Sequence, residues 1–289
     1  MIKEKKGIIG MKSEKGAITV FVLATMLFLV TVLFLSYMGM SNKVINTEKQ
    51  VNKIQEEYFS KDESKFDEEY EKVANTTKSY VGYYADIDGD GIADGIIYAD
   101  LLMGNTKDSW GSSSVTIPKV DSEKLREYMV SNEKYNGPFG ANYVVTLQRN
   151  SNASKENRFY VMSLKDVEGS LDWFSNKDNI EDSAFNTFPE FGKGQTNTEW
   201  IMSYYYKADE NMLNLISKGW FIPSTEEWIA FGQELNITSA NYSSVGLKSN
   251  YYTSVSSTRL YAEYIDFTTM KKSSCTFQEV KPFRLSIYF

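Results

Sequence analysis

The hydrophobic pattern divides the chain into stretches of different character. Residues 17–38 (AITVFVLATMLFLVTVLFLSYM) carry no charged side chain. A run of that length crosses a hydrocarbon core ~30 Å thick as a helix. Lys3, Lys5, Lys6, Lys12 and Lys15 precede it. The positive-inside rule then predicts a single span with the N-terminus in the cytoplasm and the following chain outside. The run is longer than the ~7–15-residue apolar core of a cleaved signal, which favours a retained anchor. Beyond it the chain turns polar and charged, with Val44, Val51, Ile54 and Tyr58 spaced as one apolar stripe, and no Pro or Gly interrupts residues 41–81. That sparse stripe predicts a solvated helical stalk, with a short coiled coil as the sharper alternative.

From residue 80 the period shortens. VGYYA and GIIYA read as strands around an Asp/Gly loop, and residues 143–147 and 158–164 as further strands. Residues 121–131 (DSEKLREYMVS) read as a short capped helix with Leu125 and Met129 on one face. Residues 196–206 and 211–218 read as helices, the second ended by Gly219. In GWFIPSTEEWIAF, residues 220–222 form a short strand ended by Pro223. Ser224 and Glu227 have the spacing of a capping box, and Trp228 and Phe231 form the inner face of the helix it opens. LYAEYIDF alternates as a strand, and KPFRLSIYF closes the chain as the last one. The expected organisation is a basic cytoplasmic leader (1–16), a transmembrane helix (17–40), a helical stalk (41–79) and one folded domain (80–289), long enough to bury a real core.

Composition narrows the chemistry. With 31 basic and 38 acidic side chains, a net charge of −7 and a pI near 5.0, the chain does not offer the clustered cations of a nucleic-acid surface. There is no His and one Cys, Cys275. That inventory excludes a His-dependent triad, a His/Cys zinc site, a CxxC redox motif and any intrachain disulfide. Twenty Tyr suit a recognition surface as well as a core. Adjacent acids such as Glu181 and Asp182, or Glu226 and Glu227, point different ways on a helix and read as solvated rather than catalytic.

The loop ADIDGDGIADG places Asp86, Asp88, Asp90 and Asp94 among Gly89, Gly91 and Gly95. Hard cations take six to eight oxygens, so these four carboxylates are candidate Ca²⁺ ligands. The pattern departs from a helix–loop–helix calcium loop, because Ile97 stands where a bidentate Glu is expected. The alternative is a β-hairpin whose Asp and Gly serve the turn alone.

Two resemblances follow from these motifs. A basic leader ending in Gly16 before an apolar helix resembles the N-terminus of type IV pilins and pseudopilins, although Phe21 stands where pilins carry Glu. The order GWFIPSTEEW, NYYTSVSS, a strand with Asp266 and Phe267, and a terminal PFRLSIYF resembles the C-type-lectin-like fold. The branch is that of the formylglycine-generating enzyme and the variable proteins of diversity-generating retroelements. YADIDGDGIADGIIYADL, RFYVMSLKDVEG and FGKGQTNTEWI also look like surface proteins of anaerobic Firmicutes that carry this domain.

The second resemblance implies an α+β, C-type-lectin-like domain preceded by a long N-terminal transmembrane and stalk helix. Tyr252 stands where the family usually has Trp. The oxidase needs a Cys pair for copper, which Cys275 alone cannot supply, and the tripeptides of calcium-bridged sugar binding are missing. What the resemblance leaves is binding without catalysis. By carry-over, the ligand face is Asn250, Tyr251, Ser256, Ser257, Thr258, Arg259, Tyr261, Glu263 and Tyr264, with Lys271, Ser273 and Gln278 beside it. The expectation is a single-pass cell-surface protein, adhesin- or receptor-like, that binds an extracellular protein or glycan and is open to retroelement diversification. The alternative is a minor pilin subunit that self-associates through its pilus or a coiled coil.

Overall fold

The computed structural model describes residues 70–72, 77–167, 187–204, 210–258, 261–276 and 279–289. They belong to a compact unit spanning Phe66–Phe289. Strands come first: β1 (Tyr70–Lys72), β2 (Tyr84–Asp86), β3 (Gly95–Asp100), β4 (Tyr128–Gly137), β5 (Gly140–Leu147) and β6 (Phe159–Ser163). Three helices and a short strand follow: α1 (Gly194–Tyr204), α2 (Glu210–Ser217), β7 (Trp220–Phe221) and α3 (Thr225–Glu234). The chain ends in β8 (Asn250–Thr258), β9 (Tyr261–Asp266), β10 (Lys271–Thr276) and β11 (Ser286–Tyr288). Eight strands form one sheet in the order β1-β4-β5-β2-β3-β6-β11-β7, and β10-β9-β8 form a second. β2 and β5 run parallel; their other neighbours run antiparallel.

The centre of the large sheet is buried on both faces, so β3 reads as a continuous apolar run instead of an alternation. Ile96 and Tyr98 point into a core that contains α3 and the inner side of the small sheet. Ile97 points the other way, into a core with Tyr128, Phe159, Val161, Phe283 and Leu285. α3 lies between the sheets and is buried along nearly its whole length. Ser224 Oγ accepts a hydrogen bond from the Glu227 amide, and Glu227 Oε2 accepts one from the Ser224 amide at 2.6 Å, completing the expected capping box. The Trp228 ring stacks on Tyr251 at 5.0 Å and meets Phe231 and Phe267 edge-on, while its Nε1 donates to Tyr252 O. This aromatic cluster ties the two sheets through one helix.

The expected fold class is corrected here. The described protein is mixed α/β and mostly sheet, and no helix among the described residues is long and apolar enough to cross a membrane. The run at 17–38 lies outside the described residues. The stalk does not continue as a helix to residue 79, because Tyr70–Lys72 pair with Ser131, Val130 and Met129 of β4. Tertiary backbone pairing there overrides the local helix preference of a Lys/Glu-rich segment. The helix expected at 121–131 is a 3-10 turn over Ser122–Lys124 followed by the start of β4. A spacing of four, as between Leu125 and Met129, fits one face of a strand as well as one face of a helix. The helices expected at 196–206 and 211–218, and the strands around residues 143–147, 158–164, 220–222 and 261–267, are present within a few residues of the expected ends.

A buried ion pair, invisible in the sequence, anchors the start of the domain. Arg158 Nε and Nη2 donate to the two oxygens of Asp100, each at 2.8 Å, and Nη2 also reaches Lys78 O. Asp100 further accepts from the Tyr80 and Leu102 amides. Both side chains are almost fully buried, and nearly every polar contact they need is supplied.

Candidate functional site

The acidic loop is the turn of the β2–β3 hairpin, as its flanks predict. Asp86, at the end of β2, is fully buried and accepts from the Gly89 amide at 2.8 Å and the Gly91 amide at 3.0 Å. Gly89 and Gly91 sit at φ of 78° and 86°, where a side chain would be strained. Asp94 Oδ2 accepts from the Ile87 amide, and Asp88 and Asp90 each accept from the amide two residues on. Asp86, Asp88 and Asp94 bring carboxylate oxygens within 4.8 Å of one another, and Asp90 stands outside that group. Burial pushes the Asp94 carboxyl above its ordinary range; the Ile87 amide opposes this, while Asp88 and Asp90 add repulsion in the same direction. The donors are all oxygen, as a hard cation requires. Three side chains fall short of six to eight ligands, so backbone carbonyls and water would complete the shell.

The residues expected to form a ligand face are split by the small sheet. Tyr251 points into the core, where its hydroxyl donates to Asp166 Oδ1 at 2.8 Å and accepts from the Lys248 amide. Asn250 is half-buried, with its Nδ2 on Ser249 Oγ. The Ser256 amide donates to Thr187 Oγ1. Ser257 and Thr258 lie on β8, and Arg259 and Gln278 fall outside the described residues. Tyr261 is exposed, at 43%. Glu263 faces α3, accepting from Thr225 Oγ1 at 2.7 Å and pairing with Lys272. Tyr264 is half-buried under the Lys281 ammonium, 4.0 Å from its ring centroid. Lys271 and Ser273 are exposed on β10, an edge strand of this sheet. One half of the expected face thus serves packing, and Tyr261 and the outer side of β10 remain open.

The structure adds a site that the sequence did not suggest. An open cleft of about 1540 Å³ runs beside the acidic loop, bounded by the end of β6, one side of α2 with Asn211 and Leu215, and the loops around residues 246–248 and 280–285. Part of its wall is a charge network. Asp166 accepts from Tyr251 Oη and from Arg284 Nε at 2.8 Å, and Lys248 Nζ stands 3.3 Å from its other oxygen. Arg284 is 2% exposed; its Nη2 donates to Gly246 O and its Nη1 has no hydrogen-bond partner. Asp166 and Arg284 are 118 residues apart. The one signal that could have found them is a charge inside the apolar run PFRLSIYF, since a charge placed among core residues needs a partner.

No family model, curated protein or solved structure matches the chain. The residues themselves therefore carry the functional argument.

The buried acids serve the fold. Glu227 is fully buried and accepts from the Ser224, Gly192 and Gly194 amides. Burial pushes its carboxyl up to about 7 against those hydrogen bonds. Glu234 pins the loop after β3 by accepting from the Thr106 amide and hydroxyl and from the Lys107 amide. Asp100 belongs to Arg158.

Proposed function

We propose that this protein is a ligand-binding protein of the recognition type, acting by binding and not by catalysis. The observation that carries the reading is the cleft of about 1540 Å³, walled by charged and aliphatic side chains on a rigid two-sheet scaffold. Its size exceeds the ~300–1,000 Å³ typical of small-molecule sites, which favours an extended ligand. Further support comes from the four buried acids among the described residues, Asp86, Asp100, Glu227 and Glu234, each of which is engaged by structural hydrogen bonds. Calcium is the cofactor we propose, held by Asp86, Asp88 and Asp94 at the edge of the same cleft. Display at the cell surface is part of the proposal and is supported by the sequence, through the uncharged run at 17–38 and the lysines before it.

The test is equilibrium binding of the full chain to an array of peptides, glycans and surface proteins, with and without calcium. The expected result is saturable binding of at least one class of extended ligand. An array silent under both conditions would contradict the reading.

A further inference from the structure

We infer that the cleft takes an acidic peptide segment in extended form, with aliphatic side chains interleaved between its carboxylates. This rests on the binding reading and adds the site and the ligand class. Five cationic side chains line the cleft, Lys165, Lys218, Lys248, Lys281 and Arg284, against three carboxylates, Asp88, Asp94 and Asp166. In a chain of net charge −7, a cleft with a cationic excess runs against the composition.

Counting the pairs narrows this excess and leaves Lys165 and Lys218 open, opposite Asp88 and Asp94, whose carboxylates accept from the acidic loop's own amides. Asp166 is already held by Arg284 and Lys248. Lys281 pairs with Glu279. Lys165 and Lys218 are exposed and make no ion pair among the described residues. Two solvated ammonium groups in one concave wall attract a ligand's carboxylates at little desolvation cost to themselves.

The apolar part of the lining selects among acidic ligands. Two of the large hydrophobic side chains that stand exposed belong to this cleft: Ile92, from the acidic loop, at 62%, and Val280 at 80%. Leu164, Leu215 and Pro282 continue the same aliphatic surface. Of the two aromatic side chains in the lining, Trp220 is buried and Tyr135 half-buried, so the open apolar surface of the cleft is mainly aliphatic. Aliphatic side chains of a peptide match Ile92 and Val280, and alternate residues of an extended peptide point to opposite sides, so one set can meet the apolar wall while the other meets the lysines.

The test is fluorescence anisotropy of the full chain with a labelled peptide alternating Asp or Glu with Leu and Ile, titrated at low and high salt. The expected result is saturable binding that salt weakens. The charge-reversed pair K165E/K218E should bind the peptide about tenfold more weakly or worse, with K165Q/K218Q intermediate. Val280→Asp should also weaken it, and a peptide with Lys in place of the acids should not bind. Melting curves confirm that these exposed-site variants fold; should the reversed pair fail to fold, the glutamine pair and Val280→Asp decide. Equal binding by the lysine variants, or by the basic peptide, overturns the inference. A heparin fragment that binds more tightly than the peptide and is lost in the same variants overturns the peptide class. If other array ligands bind and are indifferent to these variants, the cleft assignment fails while the binding reading stands. If no ligand of any class binds, both fail.

Discussion

Glu227 has two roles that pull its protonation in opposite directions. As the third residue of α3 it accepts amides at the helix start and at Gly192 and Gly194, which favours the carboxylate. Its complete burial favours the neutral acid and dominates, raising it from 4.5 to about 7. The folded state then binds more protons than the unfolded state between those values, so stability falls as pH rises across that window. The stabilisation is fully present below pH ~4.5 and amounts to an order of 3 kcal/mol, lost by about pH 7. Denaturant melts of Glu227→Gln against the parent across that range should show the parent's decline flattened in the variant. The Arg158–Asp100 pair makes a second prediction at this scale. Arg158→Met leaves Asp100 buried without its partner and should cost about 3–5 kcal/mol in denaturant unfolding. The Ser224–Glu227 cap was legible in the sequence because its partners are three residues apart and its chemistry is local. Arg158 and Asp100 are 58 residues apart and looked like ordinary charges.

Among the elements, the β2–β3 hairpin was readable from its flanks, and its turn from Asp and Gly. Whether those Asp residues also hold an ion was not readable, because the same carboxylates satisfy the turn's amides. Calcium held by Asp86, Asp88 and Asp94 would relieve their mutual repulsion and should raise the melting temperature in a saturable way. Asp94→Asn should weaken that response, and a melting curve indifferent to calcium would restrict the loop to its turn role. α3 was legible from its cap, its aromatic spacing and the Pro before it. Trp228→Ala should cost about 3–5 kcal/mol, since the ring fills the space between the sheets and its Nε1 partner would be stranded. The segment at 121–131 misled because its apolar spacing suits both periods, and only pairing with β5 and β1 makes it a strand.

At the scale of the molecule, the lectin-like resemblance implies recognition on the last strands, where Tyr, Asn and Ser suit a paratope. Tyr251 instead joins the aromatic stack on Trp228, and Glu263 turns toward α3, because β8 and β9 are covered by the helix on one side. Alternation along a strand reveals that one side is buried; it does not reveal which. The cleft was illegible for another reason. Its wall gathers short runs from the acidic loop, residues 163–167, α2 and the loops around 246–248 and 280–285, which lie far apart in the sequence, so no one stretch of chain announces it. The binding claim therefore rests on that gathering of aliphatic and cationic side chains in one open concavity. The most direct test is side-by-side equilibrium titration of the full chain and its K165E/K218E variant against the same array of extended ligands. The prediction is a saturable ligand for the parent whose affinity drops about tenfold or more in the variant. Identical isotherms for the two proteins would contradict the cleft as the site, and none for either would contradict binding itself.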